Sequence, residues 1–128
     1  MKKYKVRPDY LYTETHEWIK IENSSGIVGI TDYAQGQLHD IVYIELPEIG
    51  LNVEKGDVVA EIESVKAVAE IYSPVSGQII DINKELEDSP ELINQSPYDD
   101  GWIFKIQISD KNEIKSLLTP EQYLEIIE

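Results

Sequence analysis

The chain has 128 residues, 41% of them hydrophobic, which is enough for one ordinary core and leads us to expect a single domain over 1–128. Twenty-five acidic against 11 basic residues leave a formal charge of −14, which argues against nucleic acid and anionic membrane surfaces as partners. The absence of cysteine removes disulfides, thiolate catalysis and cysteine metal sites, and fits a reducing compartment.

The start, Met1-Lys2-Lys3-Tyr4-Lys5, is basic but no apolar signal region follows it, and no stretch approaches the roughly 18 apolar residues of a membrane span. A soluble cytoplasmic protein is expected. Trp18 to Glu22 alternates as a strand does, Asn23-Ser24-Ser25-Gly26 is turn chemistry, and Ile27 to Ile30 returns as the second arm of a hairpin. Thr31 or Asp32 then caps a short helix through about Leu38, its oxygen accepting from N–H groups that the first turn leaves without partners. Asp40 to Leu46 reads as a strand with Val42, Ile44 and Leu46 on one face and Ile41, Tyr43 and Glu45 on the other, stopped by Pro47.

Turns at Pro47 to Gly50 and at Lys55 to Asp57 flank a hairpin predicted over about 57–82. In its first arm Val58, Ala60 and Ile62 share one face and Val59, Glu61 and Glu63 the other; in its second, Ala67, Ala69 and Ile71 alternate with Val68, Glu70 and Tyr72. Lys66 stands between the two runs. Burying an unpaired ammonium is too costly, so this lysine belongs at an exposed tip.

After the Ser73-Pro74-Val75-Ser76-Gly77 turn come a strand over Gln78 to Ile82, a single helical turn at Pro90 to Asn94 with Pro at its start, and a last strand from Trp102 to Ile108. The tail over about 110–127 holds two capping patterns, Asp110 with Glu113 and Thr119 with Gln122, which predict helices near Lys111–Leu118 and Glu121–Ile127. Many short strands with helices only at the margins argue for a mainly β fold, a small sandwich or barrel.

Several constellations fail. Asp81-Ile82-Asn83-Lys84-Glu85 imitates the opening of a calcium loop, but Leu86 and Leu92 stand where Gly and a bidentate Glu are needed. His16 and His39 lack metal-ligand spacing, and no nucleophile-elbow, Walker or dinucleotide-binding motif occurs. Glu61 and Glu63 read as solvated strand acids, and Trp18 and Trp102 as packing residues. No enzyme active site is evident.

The stretch Glu63-Ser64-Val65-Lys66-Ala67, followed by an acidic position and Ser-Pro-Val-Ser-Gly, closely resembles the lipoylation motif of the glycine cleavage system H proteins. Further segments look like that family in family order: Thr15-His16-Glu17-Trp18, Gly29 to Gln35, Glu45 to Gly50, Pro90 to Asn94 and Pro97 to Trp102. The resemblance covers nearly the whole chain and implies the family's barrel-sandwich hybrid, or hammerhead, fold, similar to lipoyl and biotinyl carriers.

It implies also that Lys66 carries (R)-lipoate as an amide, on an arm of about ten single bonds reaching on the order of 14 Å. Three clients follow from the resemblance: a pyridoxal-phosphate glycine decarboxylase that loads an aminomethyl group, a tetrahydrofolate-dependent aminomethyltransferase that takes it, and a dihydrolipoyl dehydrogenase that reoxidises the dithiol. The carrier itself catalyses none of these steps, and a monomer is expected. Glu63, Gly77 and Gly50 match positions used for recognition by the modifying enzyme, a lipoate-protein ligase or octanoyltransferase, while both glycines equally suit turns. Glu17 and Glu70 match acids that shelter the loaded arm. His39 stands where the family usually has Gly. A biotin carrier would flank its lysine with Met, whereas Val65 and Ala67 stand here. An H-like lipoyl relay serving another complex, and an unmodified structural hammerhead, remain as alternatives.

Overall fold

The computed structural model describes residues 4–128. The first strands are β1 (Leu11–Tyr12), β2 (Glu17–Glu22) and β3 (Ser25–Ile30), with β2 and β3 forming the expected hairpin. Its turn is tighter than the sequence suggested: Asn23 takes φ 57 and pairing resumes at Ser25, so Gly26 lies inside β3, where a Cβ would meet the Ile19 side chain at 2.6 Å. The helix α1 (Asp32–Leu38) starts at Thr31, whose hydroxyl accepts the Ala34 N–H.

The strands β4 (Ile41–Glu45), β6 (Val58–Ser64) and β7 (Val68–Tyr72) form a three-stranded sheet in the order β4-β6-β7. The strands β5 (Asn52–Val53), β8 (Gly77–Ile82) and β9 (Phe104–Ile108) complete a six-stranded sheet in the order β1-β2-β3-β9-β8-β5. All pairings are antiparallel. The two sheets enclose a core that includes Ile19, Val28, Ile62, Ile71, Ile79, Phe104 and Ile106, each contributing roughly 1.5–3 kcal/mol by leaving water.

Strict alternation fails at three places, and a β-bulge accounts for each. In β4 a register shift between Ile41 and Tyr43 puts Ile41 and Ile44 inward and leaves Val42 and Tyr43 exposed, against the expected faces. In β6 a shift between Val58 and Ala60 buries Val59 beside Ala60 and exposes Val58. In β8 a third shift falls between Ile79 and Asp81. One extra residue reverses the inward set beyond it.

Short helices α2 (Glu85–Asp88) and α3 (Leu92–Gln95) bury Leu86 and Ile93; α2 was not anticipated. A 3-10 turn (Lys111–Ser116) and the helix α4 (Pro120–Ile127) form the tail. Thr119 and Gln122 make the predicted capping box. Asp110 caps only through Asn112, because the Glu113 carboxylate instead accepts from the Ser76 N–H at 2.7 Å and hydroxyl at 2.9 Å. A second, aromatic cluster of Tyr10, Tyr12, Trp18, Tyr98 and Tyr123 packs α4 onto the N-terminal strands. Here Tyr12 and Leu118 exchange backbone hydrogen bonds of 2.9 and 2.8 Å, joining the two ends of the chain.

Candidate functional site

Lys66 sits in the bend between β6 and β7, exposed, and its ammonium has no hydrogen bond or ion pair among the described residues. Ser64 builds this bend. Its hydroxyl oxygen accepts the N–H groups of Lys66 at 3.1 Å and Ala67 at 3.0 Å, and donates to the Ala67 carbonyl at 3.2 Å. A serine that accepts from N–H groups two and three residues ahead organises a local turn, so the signal was present in Ser64-Val65-Lys66-Ala67. The Val65 N–H donates to the Asp40 carbonyl at 3.0 Å and anchors the tip to the segment following α1.

Asn94 braces the same segment. Its Oδ1 accepts the Ile41 N–H at 2.9 Å, and its Nδ2 donates to the His39 carbonyl at 2.8 Å and to Gln35 Oε1 at 3.0 Å. The backbone partners have fixed polarity, so they also fix which way the amide points. His39 ends α1 with φ 64 and ψ −151, a conformation that glycine adopts freely and a β-carbon resists. That geometry explains why glycine suits the position, and the Gln35 and Asn94 hydrogen bonds hold the histidine in it.

Two depressions flank α1. One of about 610 Å³ is polar and lined by Gln35, Gly36, His39, Asp40, Val65, Lys66 and Asn94. The other, of about 320 Å³, is walled by Ile30, Tyr33, Ala34, Leu38, Ala69 and Ile71, with Thr15, His16, Gln37 and Glu70 as its polar groups. Ala69 is three residues beyond Lys66, on the order of 10 Å along the strand. A further cavity of about 390 Å³ lies away from the tip, lined by Trp18, Trp102 and their neighbours. Trp18 is buried and its indole N–H donates to the Pro97 carbonyl at 3.0 Å.

The two acids expected to act together occupy unlike environments. Glu70 is exposed on the rim of the apolar cavity, where its Oε1 accepts from the Tyr72 hydroxyl at 3.2 Å. Glu17 is 1% exposed. Its Oε1 accepts from the Thr13 and Thr15 hydroxyls at 2.6 and 2.5 Å, and its Oε2 from the Tyr72 N–H at 3.2 Å. Burial pushes the Glu17 carboxyl above its ordinary range, and these hydrogen bonds offset part of that shift. Glu17 does not itself line the cavity; its carboxylate holds the Thr15 hydroxyl, which does.

Glu63 is exposed near the tip, opposite Tyr43 and Val68. Gly50 and Gly77 lie elsewhere: Gly50 is in the turn before β5, its N–H donating to the Ile79 carbonyl at 2.7 Å, and Gly77 opens β8, facing Val53 and Ile108. Gly50 has φ +96 with open space around it, whereas a Cβ on Gly77 would stand 2.0 Å from the Gln107 carbonyl oxygen. Backbone geometry therefore accounts for both glycines. On the exposed face of the smaller sheet Glu45, Glu61 and Glu70 are direct cross-strand neighbours, a like-charge row that costs stability. Sequence reading did not single out Ser64, although its partners are local, nor Asn94 and the Thr31–Tyr123–His16 group that joins α4 to the cavity wall, whose partners lie far apart in the chain.

A family model described as "Glycine cleavage H-protein" matches residues 10–128. The chain is 54% identical over 125 residues to a probable glycine cleavage system H protein of Aeropyrum pernix, covering 98% of this chain and 87% of that one. It is likewise 54% identical over 114 residues to a glycine cleavage system H protein of Thermotoga maritima, covering 89% and 92%. A crystal structure of a glycine cleavage system H protein from Mycobacterium marinum superposes with a TM-score of 0.84 at 35% identity, covering 94% and 97%. The expected lipoyl-carrier-like sandwich with peripheral helices is therefore the observed fold.

Proposed function

The chain belongs to the glycine cleavage H-protein family, whose members are shuttling carriers and not enzymes, and from that premise we propose that Lys66 is its lipoyl attachment site. The observation that carries this reading is the unpaired, exposed Lys66 amine on a bend fixed by Ser64 and tied to Asp40. A ligase needs an acylable amine presented in a constant shape, and this bend supplies both.

The residues around the tip fit a lipoyl arm. An apolar cavity within the arm's reach suits its hydrocarbon and sulfur, and Glu70 on the rim offers negative charge to a protonated amine. When bound, lipoate supplies a disulfide that accepts an aminomethyl group and two electrons. The chain's own part is to present Lys66, to admit the arm to the cavity, and to hold the amine against Glu70. Glu17 supports this from beneath, ordering Thr15 and the Tyr72 backbone. A charge-assisted hydrogen bond is worth roughly 1.5–3 kcal/mol, strong enough to shelter the load and weak enough to release it.

In this reading the clients are the glycine decarboxylase, the tetrahydrofolate-dependent aminomethyltransferase and the dihydrolipoyl dehydrogenase. A lipoate-protein ligase or octanoyltransferase installs the group and reads Glu63 beside the tip. The charge of −14 and the row Glu45–Glu61–Glu70 steer the carrier to basic entrances. The deciding experiment is intact and peptide mass after co-expression with the ligase, with Lys66→Arg as comparison. Arg keeps the charge and offers no acylable amine, so the variant stays unmodified and inert in glycine cleavage. Lipoate found on another lysine would sink the assignment.

A further inference from the structure

One hydrogen-bond chain runs from the C-terminal helix into the wall of the apolar cavity, and only one proton order satisfies it. Thr31 is fully buried; its Oγ1 accepts the Ala34 N–H at 3.2 Å and lies 2.7 Å from Tyr123 Oη. Tyr123 Oη, also fully buried, lies 2.9 Å from His16 Nδ1. Of the partners recorded for the Thr31 hydroxyl, the Ala34 amide is itself a donor, so Tyr123 receives the Thr31 proton. The single Tyr123 proton then goes to His16 Nδ1. A neutral imidazole whose Nδ1 accepts carries its proton on Nε2.

The ring is held as well as polarised. Its centroid lies 4.8 Å from that of Tyr33, another residue of the cavity wall, and the His16 backbone takes φ 74 while its carbonyl accepts the Thr31 N–H at 3.0 Å. Tyr123 is fixed in turn by stacking on Tyr12, with centroids 4.7 Å apart and planes 9° from parallel. Burial also disfavours the protonated ring.

We propose that Tyr123 is a positioning residue that locks His16 as an Nε2–H donor in the cavity wall, and that the acceptor this donor serves is a sulfur of the lipoyl arm. The proposal rests on Lys66 being the attachment site. The other polar groups of the cavity divide the work accordingly. Glu70 is an acceptor and suits the cationic amine of the load, while the Thr15 hydroxyl donates to Glu17. His16 adds a neutral donor among mostly apolar walls, which suits a weak, polarisable acceptor such as a thiol or thioether. Its neutrality matters, since an imidazolium there would repel the amine.

The test begins on 15N-labelled, unmodified protein, where long-range proton–nitrogen correlations report the tautomer of His16 directly. Wild type shows the Nε2–H form, and Tyr123→Phe, which keeps the ring stacked on Tyr12, shows mixed tautomers. Lipoylated and aminomethyl-loaded carriers are then compared for formaldehyde and ammonia released without transferase. Loss accelerates roughly two- to tenfold in Tyr123→Phe, the worth of about one hydrogen bond, and the double variant with His16→Asn gains nothing beyond His16→Asn alone. An Nδ1–H tautomer in wild type, or an unchanged loss rate in Tyr123→Phe, overturns the proposal. Lipoate located away from Lys66 overturns the attachment reading and the sulfur acceptor with it, whatever the tautomer; a wrong tautomer overturns only the role of Tyr123 and His16.

Discussion

The buried Ser64 hydroxyl accepts the backbone N–H of Lys66 at 3.1 Å, so the residue that presents the lysine is held by the last residue of the strand before it. Ser64→Ala removes this bond and the companion bond to Ala67, while the Ser64 N–H keeps its 2.8 Å bond to the Ala67 carbonyl. The exposed amides regain water, so global stability falls by only about 1 kcal/mol. Exchange of the Lys66 and Ala67 amide protons should quicken roughly tenfold, and lipoylation should slow with it. Unaltered exchange at those two amides would show that the serine does not hold the bend.

His39 occupies a backbone conformation that costs a β-carbon roughly 1–3 kcal/mol. His39→Gly relieves that cost and adds the entropy of a freer unfolded chain, about 0.5–1 kcal/mol in the opposite direction. The net expectation is a gain of about 1 kcal/mol in urea unfolding with an unchanged m-value. Asn94→Ala should lose stability in both backgrounds, since it strips the Ile41 N–H of its acceptor. A loss of stability on introducing glycine would mean that the histidine side chain makes up for its strain.

Gly77 and Gly50 separate recognition from architecture. A Cβ at Gly77 would overlap the Gln107 carbonyl at 2.0 Å, so Gly77→Ala must push β8 from β9 and cost about 2–4 kcal/mol. Gly50→Ala meets no atom and costs only the strain of φ +96, about 1–2 kcal/mol. Glu63→Ala should leave the melting temperature nearly unmoved, as befits an exposed acid, and slow ligation. If Gly77→Ala melts as wild type does yet resists lipoylation, that glycine is read by the ligase itself.

Stability should fall on mild acidification, and His16 is one cause. Its pKa in the fold lies below the ordinary 6.5 because burial disfavours the cation, so between the two values the unfolded chain binds more protons. This contribution is complete above about pH 6.5 and is lost as pH falls through the folded value. Glu17 acts in the opposite sense: its raised pKa means that the fold holds the extra proton just above 4.5, which favours the folded state there and ceases to as pH rises. The curve for His16→Asn minus wild type isolates the first effect. A difference curve flat from pH 7.5 to 5 would show that the ring titrates alike in both states.

Much of this molecule could be read along the chain, where cause and effect are neighbours. The Thr31 and Thr119 caps, the β2–β3 hairpin and the exposed lysine between two strands follow from residues a few positions apart. Reading failed where geometry depends on distant pairing. The faces of β4 and of the start of β6 were misassigned because a bulge shifts register without a local signature. Glu17 was expected beside Glu70 around the loaded arm and proves enclosed, with the Tyr72 N–H of the other sheet donating to its carboxylate. Glu113 looked like half of a capping box and instead holds Ser76. The need for glycine at Gly77 is visible only once β9 lies beside it.

The pairing of Tyr12 with Leu118 has a consequence during synthesis. At translation rates of 5–20 residues per second, Tyr12 is added to the chain roughly 5–20 s before Leu118. Through that interval β1 lacks its outer neighbour, and Tyr12 awaits the Tyr123 ring that will cover it. The nascent chain thus carries an unfinished sheet edge and bare aromatic surface until its last turn of helix is made, so this edge closes only at the end of synthesis.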